Sequence, residues 1–195
     1  VLIGLILLLN FIPIWGTSYE LNEKTSEAII LILMSASGFF LMVDAENLIM
    51  LFIGLEIGSI SLYALAGLNR RDKLSNEASL KYFLLGSLAS CIFIYGVALV
   101  YVSYSLMSVY DFALAIAYTG PDLIPLTTFI GVLLIFVGLL FKIAAAPFQS
   151  WAPDVYQGSP TGYVGYMASV AKAASFIVIA RICMVSIRFI LEDFE

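Results

Sequence analysis

Apolar residues in this chain come in long blocks separated by short polar clusters, as in a protein that crosses a bilayer repeatedly. Residues 1–15 form the first block. At 1.5 Å per residue it is about 22 Å long, short of the ~30 Å hydrocarbon core, so it is either truncated or tucked against neighbours. It lacks a basic n-region and a small-residue cleavage site, so it reads as part of a span and not as a signal peptide. Pro13 and Gly16 end it, and a polar loop runs on through Glu27. Residues 27–43 make a second span, and Asp44 and Glu46 bracket a tight turn into a third over 46–67. The cluster Asn69-Arg70-Arg71-Asp72-Lys73 closes that span, and a fourth runs from Glu77 to Ser103. Residues 105–123, with Asp111 and Asp122, read as a polar, aromatic connection.

The next stretch, GVLLIFVGLLFKIAAAPFQSWAPDVYQGSP over 131–160, departs from a plain span. An apolar helix beginning near Ile124 carries Lys142 and meets Pro147 five residues later. Proline has no N–H, so Pro147 is expected to free the Ile143 carbonyl and break the helix. Non-helical backbone at membrane depth is tolerated only where it faces protein or a water-filled cavity. A last span covers Thr161 to Phe189, with Ser159 as the expected N-cap and Pro160 at the first helical position. The count is six spans, one of them broken at Lys142–Pro147, in an all-α integral membrane protein forming a single membrane domain over 1–195. Arg70, Arg71 and Lys73 place the loop after the third span on the cytoplasmic or matrix side. The 105–123 connection, opposite by parity, has no Lys or Arg, whereas Arg181 and Arg188 fall on the wrong side.

Composition agrees with the pattern. Hydrophobic residues are 62% of the 195 and charged residues 12%, against soluble norms of roughly 45–50% and 25%. There is no histidine, which excludes histidine-ligated haem and zinc and any Ser-His or Cys-His catalytic pair. Cys91 and Cys183 are far apart in apolar segments and form no CxxC, so they read as inert thiols. No redox centre is held by these side chains. The net charge of −5 implies no particular partner, since most acidic residues sit in short loops.

Four ionisable residues fall inside the spans: Glu56, Lys81, Lys142 and Lys172. Each costs about 2.5–3.5 kcal/mol at mid-helix unless it is paired or hydrated, so all four are candidate functional residues. Glu56 is mid-span and too short to snorkel, and it shares a helix face with Ser59 and Tyr63. Its alternative role is a structural ion pair. Lys81 has Glu77 at i−4, which suits a surface pair equally well. Lys142 has no acidic neighbour before Asp154 beyond the break, so its expected partner is Glu56 on another helix; the alternative is snorkelling out through the break. Lys172 lies beside Gly165, Ser169 and Ala173, whose four-residue spacing suggests a close-packing face. Desolvation disfavours an ammonium and a nearby carboxylate favours it, so a row of such groups can pass protons. On residues alone this reads as a proton or cation pathway with its energy source unspecified.

The stretch FKIAAAPFQSWAPDVYQGSPT resembles the broken-helix signature of antiporter-like subunits of respiratory complex I, the proton-pumping NADH:quinone oxidoreductase. Its WxPDVYxGxPT form is most similar to the N-type subunit, called subunit two in mitochondria. LFIGLEIGSISLYALAG resembles the family's glutamate helix, EASLKYFLLGSLAS the next one, and SVAKAASF the helix with the second channel lysine, in family order over residues 46–180. The resemblance implies a modulating Glu56, a helix-break Lys142, a connecting Lys172 and an additional Lys81. It implies one preceding helix over 1–26 and the first of two inverted five-helix bundles over 27–190, the N-terminal half only. A second chain would then supply the C-terminal half. Partners would be the other complex I membrane subunits and the lipid bilayer, with no nucleic acid. No cofactor is expected in this chain, and flavin and iron–sulfur clusters are expected in other subunits. The implied location is the mitochondrial inner membrane, with a bacterial plasma membrane or thylakoid membrane as alternatives. Two positions depart from the family pattern: Gln149 replaces a common histidine, and Gly162 a common proline. The competing functions are a cation/proton antiporter subunit and an assembly scaffold with an inactive relay.

Overall fold

The computed structural model describes Gly4, residues 25–119 and residues 123–192, and the predicted span over 1–15 lies outside these except for Gly4. Helices α1 (Thr25–Asp44), α2 (Leu48–Ala66) and α3 (Lys73–Tyr104) follow in order. Then come α4 (Val109–Thr119), α5 (Leu126–Lys142) and α6 (Trp151–Gly158). The last rod is α7 (Thr161–Tyr166), a π turn (Met167–Ala171) and α8 (Lys172–Glu192). Among the described residues, four rods are long and apolar enough to cross a membrane: Ser26–Asp44, Leu48–Ala66, Lys73–Tyr104 and Thr161–Met184. The apolar α5 is shorter.

Caps set several boundaries. Asn47 accepts from the Ile49 N–H at 2.8 Å and starts α2. Asp72 accepts from Leu74 N–H at 3.0 Å, which starts α3 at Lys73, four residues before the expected Glu77. Ser108 accepts from Asp111 N–H at 3.3 Å and opens α4 inside the stretch read as a connection. Residues 109–119 contain no Gly or Pro, and they form a helix despite the polar and aromatic content of the stretch. At α7 the N-cap is Pro160 and not Ser159, whose buried hydroxyl has no hydrogen-bond partner.

The two ends of the bundle differ. At one end Leu48 N–H donates to Met107 O and Val109 N–H to Glu46 O, both at 2.9 Å, tying the α1–α2 turn to the α3–α4 turn. Asp44, Glu46 and Asp111 are exposed there. Arg181 of α8 reaches the same end and donates to the Val43 and Ala45 carbonyls. The other end carries Arg70 and Arg71, with Glu27 at 4.0 Å from Arg70.

Glycines let the antiparallel α1–α2 pair approach closely. A Cβ on Gly38 would meet the Gly58 backbone and lie 2.9 Å from Gly54 O, so nothing larger than hydrogen fits. Along α7, the π turn and α8 the interior is taken by Tyr163, Tyr166, Val170, Ala174 and Val178. Gly165 is exposed and Ser169 and Ala173 are only half-buried, so the expected small-residue packing face is not the one used. The bulky Tyr166 turns inward because its hydroxyl finds Ser35 Oγ at 2.6 Å and Ile32 O at 3.1 Å.

Candidate functional site

The helix break is built from backbone outward. Helix α5 ends at Lys142, five residues before Pro147. Ala144 adopts φ 55°, its N–H donates to Phe141 O at 3.0 Å, and Ala145 N–H donates to Leu140 O at 3.0 Å. These two bonds are a Schellman motif, in which a left-handed residue closes a helix and uses its last carbonyls. The break is therefore wider than the kink expected at Ile143: the chain leaves the helix at the cap, and Pro147, after a cis Ala146–Pro147 bond, keeps it from resuming. The Trp151 indole N–H closes the gap by donating to Phe141 O at 3.1 Å. Trp151 also stacks on Tyr82 at 4.7 Å and 9° and on Phe141 at 5.5 Å and 25°, so α6 returns against α3.

Lys142 points inward from the last turn of α5 and is 4% exposed. Its Nζ donates to Tyr63 Oη at 2.8 Å. Nζ is 5.3 Å from that ring's centroid, which puts it beyond the hydroxyl at the ring edge, so a hydrogen bond and not a cation–π contact holds it. The expected Glu56–Lys142 ion pair is absent among the described residues. Glu56 is half-buried and accepts a short hydrogen bond from Ser90 Oγ of α3. The reason is spacing: Tyr63 and Glu56 share a face of α2 but stand seven residues apart, about 10 Å along the axis. Tyr63 links Glu56 and Lys142, since it shares the α2 face of Glu56 and accepts from Lys142.

Lys172 lies elsewhere. Its Nζ is 5.6 Å from the Tyr156 ring centroid, near the outer limit of a cation–π contact. Between the two lysines runs an aromatic layer rather than a direct contact. Tyr63 meets Tyr82 edge-on at 4.7 Å, Tyr82 stacks on Trp151, and Trp151 meets Tyr156 at 6.0 Å. Lys81 is apart from both, on an exposed flank. It binds Glu77 at 2.6 Å and Asp154 at 2.7 Å, beside a cavity of about 100 Å³ also lined by Gln157. The i−4 pair was visible in the sequence, whereas Asp154 is 73 residues away and was not. Thus the structure brings Lys142 and Glu56 into one interior region, hangs Lys172 on its far side, and puts Lys81 outside it. Among the residues the sequence reading did not select are Ser90, Trp151 and Asp154; Tyr63 was marked only by its register with Glu56.

No cluster of His, Cys, Asp and Glu suited to a metal ion occurs among the described residues. The arrangement can hold a positive charge in a low-dielectric interior, one hydrogen bond from a hydroxyl and within reach of a carboxylate's field.

Comparison with known proteins fits this geometry. A family model described as NADH:quinone oxidoreductase/Mrp antiporter, TM, matches residues 45–193. NADH-quinone oxidoreductase subunit N 1 of Chloroherpeton thalassium is 47% identical over 168 residues, covering 86% of this chain and 34% of that protein. The protein of the same name from Solibacter usitatus is 43% identical over 190 residues, covering 96% of this chain and 38% of its own length. Respiratory complex I from Thermus thermophilus contains a chain that superposes with a TM-score of 0.74 at 36% identity, covering 92% of this chain and 39% of that one. A chain of the archaeal membrane-bound sulfane sulfur reductase superposes with a TM-score of 0.72 at 31% identity, covering 80% and 31%. The chain thus spans between a third and two fifths of the length of the curated relatives it matches. With its broken helix, its buried lysine and a match over residues 45–193, the chain belongs to the NADH:quinone oxidoreductase/Mrp antiporter family of membrane proteins.

Proposed function

We propose that this chain is part of an N-type antiporter-like subunit of a proton-pumping NADH:quinone oxidoreductase and carries one half-channel of its proton path. The observation that carries the reading is Lys142: a lysine 4% exposed, at the end of a helix that stops within the apolar region. A buried ammonium whose surroundings change can bind a proton in one state and release it in another. Glu56, on the same face of α2 as the Tyr63 that holds Lys142, is the carboxylate that biases this lysine, and Ser90 fixes its position. Lys172, across the aromatic layer, is the next station, and conduction between the two requires water or side-chain movement through that layer. Lys81, exposed and doubly paired, anchors α6 to α3 and conducts at most from the flank.

Residues 27–190 would form the family's first five-helix bundle, with residues 1–26 preceding it. The rest of the relatives' length would be supplied by further sequence or a second chain. Electron transfer and its flavin and iron–sulfur groups belong to other subunits. The named relatives are bacterial, which favours a bacterial plasma membrane over the mitochondrial location that the sequence suggested first. A second reading, a cation/proton antiporter subunit driven by ion gradients alone, draws support from the family description, which joins the two classes.

The test is NADH-driven proton uptake in inverted membrane vesicles holding the assembled complex. Lys142→Met and Glu56→Gln should each lower the proton-to-electron ratio while the complex still assembles. Normal assembly with an unchanged ratio would leave only a scaffold, and sodium-dependent transport without NADH would favour the antiporter.

A further inference from the structure

Among the described residues, the Tyr63 hydroxyl is the hydrogen-bond partner of Lys142. The choice of a hydroxyl matters chemically. An ionised carboxylate can only accept: it takes an N–H from either form of lysine but can donate nothing to the lone pair of the neutral amine. A phenol accepts from –NH₃⁺ and, after rotating its hydrogen, donates to –NH₂. Tyr63 can therefore satisfy Lys142 in both protonation states without moving its ring.

The ring itself is fixed from several sides. Ser79 Oγ donates to the Tyr63 backbone carbonyl at 2.8 Å, Tyr82 packs edge-on at 4.7 Å, and Phe83 at 6.0 Å. Gly86 of α3 provides the space for the hydroxyl end. A Cβ at Gly86 would collide with Tyr63 Oη and lie 2.6 Å from its Cζ and 2.9 Å from its Cε1. Any side chain there displaces the hydroxyl from Lys142.

We propose that Tyr63 is a positioning residue that keeps Lys142 hydrogen-bonded through both halves of a protonation cycle, and that Gly86 is the gap that admits it. The proton leaves Lys142 from an N–H not engaged with Tyr63 and passes to water. Tyr63 is neutral before and after; the neutral amine turns about its Cε–Nζ bond to bring its lone pair to the hydroxyl, and the O–H direction reverses. The inference rests on Lys142 being a proton carrier, as in the function proposed above.

The test uses the chain in its native membrane assembly, with Lys142→Met, Tyr63→Phe, Gly86→Ala and the double variant Tyr63→Phe/Gly86→Ala. Proton uptake is read against pH, alongside uncoupled electron transfer and the amount of assembled complex. Tyr63→Phe keeps the ring and should assemble, yet move the alkaline limb of the uptake profile to lower pH by about one unit, because the ammonium loses a charge-assisted bond. Gly86→Ala should reproduce that shift, and the double variant should be no worse than Gly86→Ala alone, as expected of residues acting through one contact. A Tyr63→Phe profile superimposable on the parent's, or a Tyr63→Phe chain that does not assemble, overturns the proposal, the second by making the hydroxyl structural. If Lys142→Met leaves uptake unchanged, the proton-carrier reading fails first. If Lys142→Met abolishes uptake and Tyr63→Phe does not alter it, only the role of Tyr63 fails.

Discussion

Arg181 closes a helix. Its guanidinium donates to the carbonyls of Val43 and Ala45, at and just beyond the last turn of α1, where backbone acceptors lack intrahelical partners and the helix end is negative. An arginine placed by that need says little about which side of the membrane it occupies, which is why it broke the charge rule read from the sequence. Its rigid fork aims separate nitrogens at the two carbonyls, whereas a lysine would have to reach both from one nitrogen on a flexible stem. Arg181→Gln should therefore lower the thermal stability of the detergent-solubilised chain by about 1.5–3 kcal/mol, with Arg181→Lys recovering part of it. Scanning fluorimetry across the three proteins would show this, and equal midpoints would remove the capping role. At this scale the sequence identified buried charges well and their partners poorly. Glu56, Lys142 and Lys172 stood out because isolated charges are costly in apolar runs. Pairings such as Lys81 with Asp154 or Glu56 with Ser90 depend on helix packing that no single segment encodes.

At the scale of elements, hydropathy located the long spans because each is a continuous apolar run of membrane length. Helix α4 escaped because its apolar content is shared with aromatic and polar residues in a stretch flanked by loop signals. The break at Lys142 was legible through Pro147, but its form was not. Sequence rules look for glycine at a left-handed helix end, and here the position is Ala144 at φ 55°. An alanine in that region is disfavoured by about 1–2 kcal/mol relative to its right-handed conformation, a strain that persists only when the surroundings impose it. Trp151, wedged between Tyr82 and Phe141 and bonded to Phe141 O, supplies that constraint. Ala144→Gly should remove the strain and raise the midpoint of thermal unfolding by the equivalent of about 1 kcal/mol. A lower midpoint would mean that the Ala144 methyl contributes packing worth more than the strain it imposes. If the strain serves function, the same variant should pump more slowly despite being more stable.

Across the whole molecule, charge is divided between two ends and a protected middle. Among the described residues, one end bears Arg70, Arg71 and Lys73 together with Glu27, Asp72 and Glu77, the other bears exposed Asp44, Glu46 and Asp111, and the α1–α2 and α3–α4 turns are hydrogen-bonded together at that acidic end. Once Arg181 is assigned to the end of α1, Arg70, Arg71 and Lys73 favour one orientation, with residues 67–73 on the cytoplasmic side, and Arg188 of α8 alone stands against it among the described residues. This orientation places the Lys142 break, whose following helix α6 packs on α3 through Trp151 and Tyr82, towards the cytoplasm, where the proposed function would require proton uptake. Thiol labelling can check it in a chain with Cys91→Ser and Cys183→Ser. A cysteine at Asn69 should react with a membrane-impermeant maleimide only in inverted vesicles, and one at Tyr118, which is 84% exposed on α4, only in right-side-out vesicles or intact cells. The reverse pattern would put the break on the releasing side. Glu56 and Lys142 would then sit at the exit of the path, and the same residues would have to work in the opposite order.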